Sequence, residues 1–365
     1  MRSDQFNWGP GTFIIGYHLA LFLAVPLYLA SSAPSLKLLL ISFVLLYASG
    51  LSISAGYHRF YTHRAYNIAK FPESVLLFFS TMALQGSVLF WSFEHRLHHK
   101  FTDKEEDPHA IKKGFLYAHM LWIFRKPKPI DEAIVSDLMK NKLVMFQHKY
   151  YAFLGILTNA VAVVFAWLMT GDLIGAFVFA FLARLFLLHH FTWFINSLAH
   201  TWGAKTYSGE QTAVDNYIIA LLTFGEGYHN YHHVSSSDYR NGIKWYHFDP
   251  GKWIVWALGK FGWASSLKKM NDYTIKKTII LEDEKILLDR IKESALEHKE
   301  LFEKKVHEMA EKLMLKANQM NEAMHRYKQT KEKNIKKQVR EFKAGFKESW
   351  KEWSRLSREI MSLTG

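Results

Sequence analysis

No cysteine occurs among the 365 residues. That excludes a disulfide framework, a thiolate zinc site, a cysteine-ligated iron–sulfur cluster and a cysteine nucleophile. Any metal must be held by histidine, carboxylate or water. Proline is scarce at 8 and glycine modest at 20, and there is no solenoid-type repeat, so collagen-like and repeat architectures are excluded as well. The 49% hydrophobic and 16% aromatic content rules out disorder, because there is ample apolar side chain to bury. Charge is unbalanced, with 46 Lys and Arg against 33 Asp and Glu. No nucleic-acid-binding pattern accompanies that excess, so nucleic acid is not an expected partner. What is abundant is histidine, 19 in all.

Four apolar blocks, residues 13–30, 38–55, 151–170 and 173–195, approach the roughly 20 residues a helix needs to cross a bilayer. The joins within each pair, Ser31 to Lys37 and Gly171-Asp172, are short enough to predict two helical hairpins. Both termini and the long segments 56–150 and 196–280 then lie on one side of the membrane. Lys and Arg crowd those segments, so the positive-inside tendency makes that side cytoplasmic. A fifth apolar run, Val75 to Phe90, is interrupted by Gln85 and Gly86 and reads as an interfacial or re-entrant helix. Arg184 falls midway along the fourth block, where a charge is either functional or structurally paired.

From Leu281 the composition turns highly charged. Apolar residues three or four apart run from Ile291 to Met324, and a second stripe follows at Val339, Phe342, Phe346, Trp350, Trp353 and Ile360. The spacing predicts a helical tail over 281–365, set apart from a domain over 1–280. The aromatic stripe flanked by Lys and Arg suits a helix lying on an anionic membrane surface. The near-heptad spacing of the first stripe suits self-association instead.

Nine histidines form four clusters on the segments expected to be cytoplasmic: His58 and His63 in HRFYTH, His95, His98 and His99 in EHRLHH, His200 in NSLAH, and His229, His232 and His233 in GEGYHNYHH. Residues at i, i+3 and i+4 share a helix face, so each HxxHH is expected to aim three imidazoles at one point. Asn196 and His200 share a face in the same way. His58 and His63 diverge by about 140° on an ideal helix, which predicts that the helix ends or bends between them. Isolated histidines such as His18 and His148 read as packed or solvated side chains, and His189 and His190 match no ligand position. Nine imidazoles are too many for one ion, which implies two metals. Imidazole accepts zinc, copper, iron or nickel, and Glu94 or Glu226 has the chemistry of a base for zinc hydrolysis. The position of the clusters, beside apolar helices able to form an acyl slot, favours redox iron, because attack on an unactivated C–H bond needs a redox metal with dioxygen.

With these boxes the sequence resembles the membrane acyl-CoA desaturases of the stearoyl-CoA (delta-9) type over about residues 10–270. The three histidine boxes occur in order, EEDPH follows the second, NSLAH precedes the third, and FGEGYHNYHH is close to the family form. The resemblance implies an all-α integral membrane protein with four transmembrane helices and a cytosolic cap holding two irons. It implies as ligands His58, His63, His95, His98, His99, His200, His229, His232 and His233, with Asn196 contacting one iron through water. It implies a cis double bond made in an acyl-CoA, with dioxygen and two electrons from cytochrome b5 or ferredoxin and a reductase. It places Trp91, Trp193, Arg125 and Lys126 near acyl-CoA, and Ser42 and Leu46 at the far end of the acyl slot. The excess positive charge then suits lipid headgroups, CoA phosphates and an acidic electron carrier. The expected location is the endoplasmic reticulum in a eukaryote or the inner membrane in a bacterium. Related hydroxylases and alkane monooxygenases share the box pattern but typically lack NSLAH, and a non-enzymatic scaffold would not need the nine histidines. Two features depart from the family: Phe93 stands where the animal enzymes have an arginine toward the CoA phosphates, and the segment after the desaturase portion shows no His-Pro-Gly-Gly haem loop of the kind fungal members carry.

Overall fold

The computed structural model describes residues 6–364. Four helices are long and apolar enough to cross a membrane, Trp8–Ser31, Leu36–Thr62, Tyr151–Thr170 and Leu173–His200, each containing one of the expected blocks. Ser35 caps the second by accepting from the Leu38 N–H at 3.2 Å, and Asp172 caps the fourth through the Gly175 N–H at 2.7 Å. Gly171 ends the third at φ +76°, a left-handed conformation that glycine adopts without strain. The Tyr28 hydroxyl of the first span donates to Asp172 at 2.6 Å, tying the two hairpins together.

The spans divide into inner and outer pairs: half of the most apolar stretch of the second and of the fourth is buried within the protein, against 22% and 28% for the first and third. Both inner spans are partly π-helical, over Ile53–Thr62 and Ala176–Ala183. Just past the second π segment, Arg184 is buried and structurally paired. Its Nε donates to the Ala180 carbonyl at 2.8 Å, and its guanidinium reaches the Asn159 side chain, Ser49 Oγ at 3.4 Å and the Met82 carbonyl at 3.5 Å. One side chain thus joins the second, third and fourth spans.

The fifth apolar run forms no single helix. Lys70–Thr81 ends in a turn where Leu84 and Gly86 take positive φ, and Ser87 caps a new helix, Val88–Phe101. Twelve residues give about 18 Å of helix, too short to cross, in keeping with the interfacial reading. The rest of this unit consists of short helices, including Phe115–His119, His229–Val234 and Pro250–Lys260, and one antiparallel two-residue pairing of Asn67–Ile68 with Ala264–Ser265.

Residues 206–210 and 270–365 form a second compact unit. Its main segment begins eleven residues before the expected boundary, which falls inside helix Asp272–Glu293. That helix packs with Lys299–Thr330 and Lys333–Leu363 around Leu287, Val306, Leu313, Trp353 and Ile360. Trp353 is 1% exposed and its indole N–H donates to Asp283 Oδ2 at 3.3 Å. The aromatic stripe expected on a membrane surface therefore faces neighbouring helices. A sequence stripe states that a helix has an apolar face and leaves its partner open; here both stripes are used within the chain. Replacing Trp353 by Ala empties this core and should lower the stability of the three-helix unit by about 3–5 kcal/mol, read as lost hydrogen-exchange protection across residues 299–330.

Candidate metal centre

The nine histidines gather into two groups. In each, one ligand nitrogen per residue lies within 4.8 Å of all the others: His58, His63, His95, His99 and His232 in one, His98, His200, His229 and His233 in the other. As expected, the helix ends between His58 and His63, at Thr62, and its last stretch, Ile53–Thr62, is widened into a π-helix, in which residues five apart hydrogen-bond and stack. The His63 N–H donates to the His58 carbonyl at 3.1 Å, and the two rings lie 4.7 Å apart. A second expectation is corrected: neither HxxHH aims three rings at one point. The pair four apart, His95 with His99 or His229 with His233, serves one group, and the intervening residue, His98 or His232, crosses to the other. Each box therefore bridges both positions. His200 arrives on a 3₁₀ turn, Leu198–His200, after the α-helix ends at Ser197.

The nitrogens approach as metal ligands do. Nε2 to Nε2 separations are 3.0 Å for His58–His232 and His99–His232, 3.2 Å for His95–His99, 3.1 Å for His229–His233 and 3.3 Å for His98–His233. Metal–nitrogen bonds of about 2.1 Å place neighbouring ligands about 3.0 Å apart at right angles and about 3.4 Å at the tetrahedral angle. Burial, reinforced by mutual repulsion, drives the pKa values of His63, His95, His99, His229, His232 and His233 well below the ordinary value, so these rings are neutral and offer lone pairs. His63 Nε2 and His200 Nε2 are buried with no hydrogen-bond partner among the described residues. Neutral, converging and in part orphaned nitrogens fit a pair of metal ions.

Three ligands are oriented from behind, the usual way a protein fixes an imidazole's tautomer. His58 Nδ1 lies 2.9 Å from Glu226 Oε2, His98 Nδ1 lies 3.0 Å from Asp107 Oδ1, and His200 Nδ1 lies 2.7 Å from Thr212 Oγ1, which donates to Asp103 Oδ1 at 2.6 Å. Glu226 also receives Arg59 at 2.9 Å, Asn241 at 2.5 Å and the Ser54 hydroxyl. Its burial would raise its pKa, but His58 and Arg59 outweigh that and hold it below the usual carboxylate range, so Glu226 orients a ligand and is not a free base. Glu94, pushed up to about 8 by burial, lies on a cavity wall instead. Asp215 fixes the third box by accepting from the Asn230 and Tyr231 N–H groups at 2.9 and 3.1 Å. Of these residues the sequence reading quoted EEDPH without a role and named Glu226 for another one; a Thr or Asp that acts through a neighbour carries no spacing signal of its own.

A cavity of about 1070 Å³ touches His58 and His95 and is lined by Trp91, Glu94, Trp193, Asn196, Arg125 and Lys126. Lys113 and Lys128 add to its basic wall, and Gly155, Asn159, Val163, Phe177 and Phe181 line its membrane-embedded part. The second span contributes Gly50, Ile53 and Ser54. Leu46 and Ser42 do not reach it: Leu46 is packed with Phe224 in the core, and Ser42 bonds back to the Leu38 carbonyl. Phe93 is packed in the same core at 2% exposure. His189 and His190 lie apart from the metal groups, paired with Tyr17 and the Ala83 carbonyl, and with His18 and His119.

A family model for the fatty acid desaturases matches residues 35–265, a range that contains all nine clustered histidines. The chain is 39% identical over 290 residues to a probable acyl-CoA desaturase of Schizosaccharomyces pombe, covering 78% of this chain and 59% of that protein. It is 37% identical over 279 residues to acyl-CoA desaturase 1 of Saccharomyces cerevisiae, covering 74% and 52%. An sn-1 stearoyl-lipid 9-desaturase of Anabaena variabilis is 32% identical over 269 residues, covering 73% and 95%. The chain thus spans a little over half the length of the two yeast relatives.

Replacing His98 or His232 by Ala should cut bound metal at least tenfold, whereas His189→Ala should leave it unchanged, as element analysis of the purified proteins would show. The depressed histidine pKa values also fix a pH dependence. Below about 6.5 the unfolded chain binds protons that the native imidazoles refuse. The metal-free protein should therefore lose stability steeply as pH falls from 7 to 5, and a flat thermal midpoint over that range would contradict the neutral cluster.

Proposed function

This chain belongs to the fatty acid desaturase family, and from that premise we propose that it is an acyl-CoA desaturase. It places a cis double bond at the delta-9 position of a saturated acyl chain, using dioxygen and two external electrons at a centre of two irons. The observation that carries the reading is a cavity that joins a basic wall, the five-histidine group through His58 and His95, and an apolar trough among the spans. The reaction balances as R–CH2–CH2–R′ plus O2, two electrons and two protons, giving R–CH=CH–R′ and two water molecules. When bound, the irons supply activation of dioxygen for attack on an unactivated C–H bond.

The chain's own residues do the positioning. Lys113, Arg125, Lys126 and Lys128 suit CoA phosphates, which favours acyl-CoA over a lipid-bound acyl group. The Trp91 ring stacks on His95 at 4.9 Å and forms the wall between chain and ligand. The Gln85 amide donates to Thr192 Oγ1 at 2.7 Å, closing two polar groups on each other beside the trough. Asn196, on the cavity wall one turn before His200, orients water toward one iron. Rigid walls, rather than intrinsic reactivity, select which methylene faces the irons. Both termini and the centre face the cytoplasm, of the endoplasmic reticulum in a eukaryote or at the inner membrane in a bacterium. Cytochrome b5 or ferredoxin with its reductase supplies the electrons.

Expression in a desaturase-deficient host should yield cis-9 monounsaturated acids by mass spectrometry, and a predominantly hydroxylated product would overturn the reading. Val163→Phe, in the membrane-embedded wall, should shift the product profile toward shorter chains.

A further inference from the structure

The two histidine groups are oriented by carboxylates of unequal electrical weight. Behind the five-histidine position, Glu226 is shared with Arg59, whose guanidinium is 2.9 Å from Glu226 and 2.8 Å from Asp249. Both pairs are buried, with side-chain exposures of 4% or less, and the Ser54 hydroxyl and Asn241 amide draw further on the same carboxylate. Much of the negative charge of Glu226 is therefore neutralised before it acts through His58.

Behind the four-histidine position the balance differs. Asp107 is 1% exposed and meets the His98 Nδ1 at 3.0 Å. Its other bonds come from the neutral N–H groups of Asp103 and His109, each at 3.1 Å. Asp103 acts on the same position through Thr212, which accepts from His200 and donates to the carboxylate. Among the described residues neither the Asp107 nor the Asp103 carboxylate forms an ion pair with a lysine or arginine; the Lys113 ammonium reaches the Asp107 backbone carbonyl instead, at 3.4 Å. Two carboxylates without a cation thus serve the four-histidine position, and one carboxylate tied to a cation serves the other. Hydrogen bonds and net charge around a ligand set the potential of the metal it holds.

We infer that Asp107, assisted by Asp103 through Thr212, makes the two metal positions electrically unequal, the four-histidine one favouring the higher oxidation state. Both residues are positioning and tuning groups; neither touches the metal. The inference rests on the two-iron reading, and the test separates the two.

The full chain is purified in detergent, loaded with ⁵⁷Fe and titrated reductively, with each iron followed by Mössbauer spectroscopy. Wild type should show one iron reduced at a lower potential than the other. Asp107→Asn should raise that lower potential by at least tenfold in the one-electron equilibrium, about 59 mV, and Glu226→Gln should produce a smaller shift. Thr212→Val, which keeps the side-chain shape and removes the hydroxyl, should move the same iron in the same direction, and it carries the test if Asp107→Asn does not fold. Equal potentials in wild type overturn the inference. So does an unmoved potential in iron-replete Asp107→Asn, or in iron-replete Thr212→Val where that variant carries the test. A wild type that binds no iron overturns the two-iron reading itself, a distinguishable result.

Discussion

Seven of the nine clustered imidazoles hold a ring nitrogen 3.0–3.3 Å from a neighbour's, and the crowded space they share with His63 and His200 sets the terms for the rest of the molecule. Protonated, such a cluster would repel itself and resist burial; neutral, it leaves lone pairs facing lone pairs unless ions share them. The fold supplies what this demands. Ligands come from the second and fourth spans, from a helix beside the membrane and from a short helix near residue 230, and the bridging of each HxxHH locks the two positions to each other.

The carboxylates behind the cluster extend that logic. Imidazole ligands bring no countercharge to a cation, so the carboxylates of Glu226, Asp107 and Asp103, placed one bond further out, are positioned to supply part of it. Arg59 and Asp249 knit the first box to residues nearly two hundred positions later, and Asp215 holds the third box in place. These contacts are long-range in sequence, which is why the cap and the spans must fold together for the site to exist.

Much of this was legible in the sequence. Length and apolarity marked the four spans, and box spacing with flanking motifs marked the family and the nine histidines that the fold gathers. Three things were not legible. The π-helix at Ile53–Thr62 leaves no mark in side-chain periodicity, because the widening is a backbone choice, and only the convergence of His58 with His63 reveals it. The two-and-one division of each HxxHH depends on where the second box sits, a tertiary fact. The end of the acyl slot was sought at Ser42 and Leu46 on the second span, whereas the cavity meets that span at Gly50, Ile53 and Ser54 and extends along the first, third and fourth spans past Val163 and Phe181. The tail shows the same limit, since the pattern around Trp353 announces a buried face without naming what buries it.

The central claim, that the nine clustered histidines hold two irons, is tested most directly by counting metals in the protein as purified and reading their surroundings by X-ray absorption. The account predicts two irons per chain, bound by nitrogen and oxygen with no sulfur. A single metal per chain, or a full complement of zinc with no iron, would contradict it.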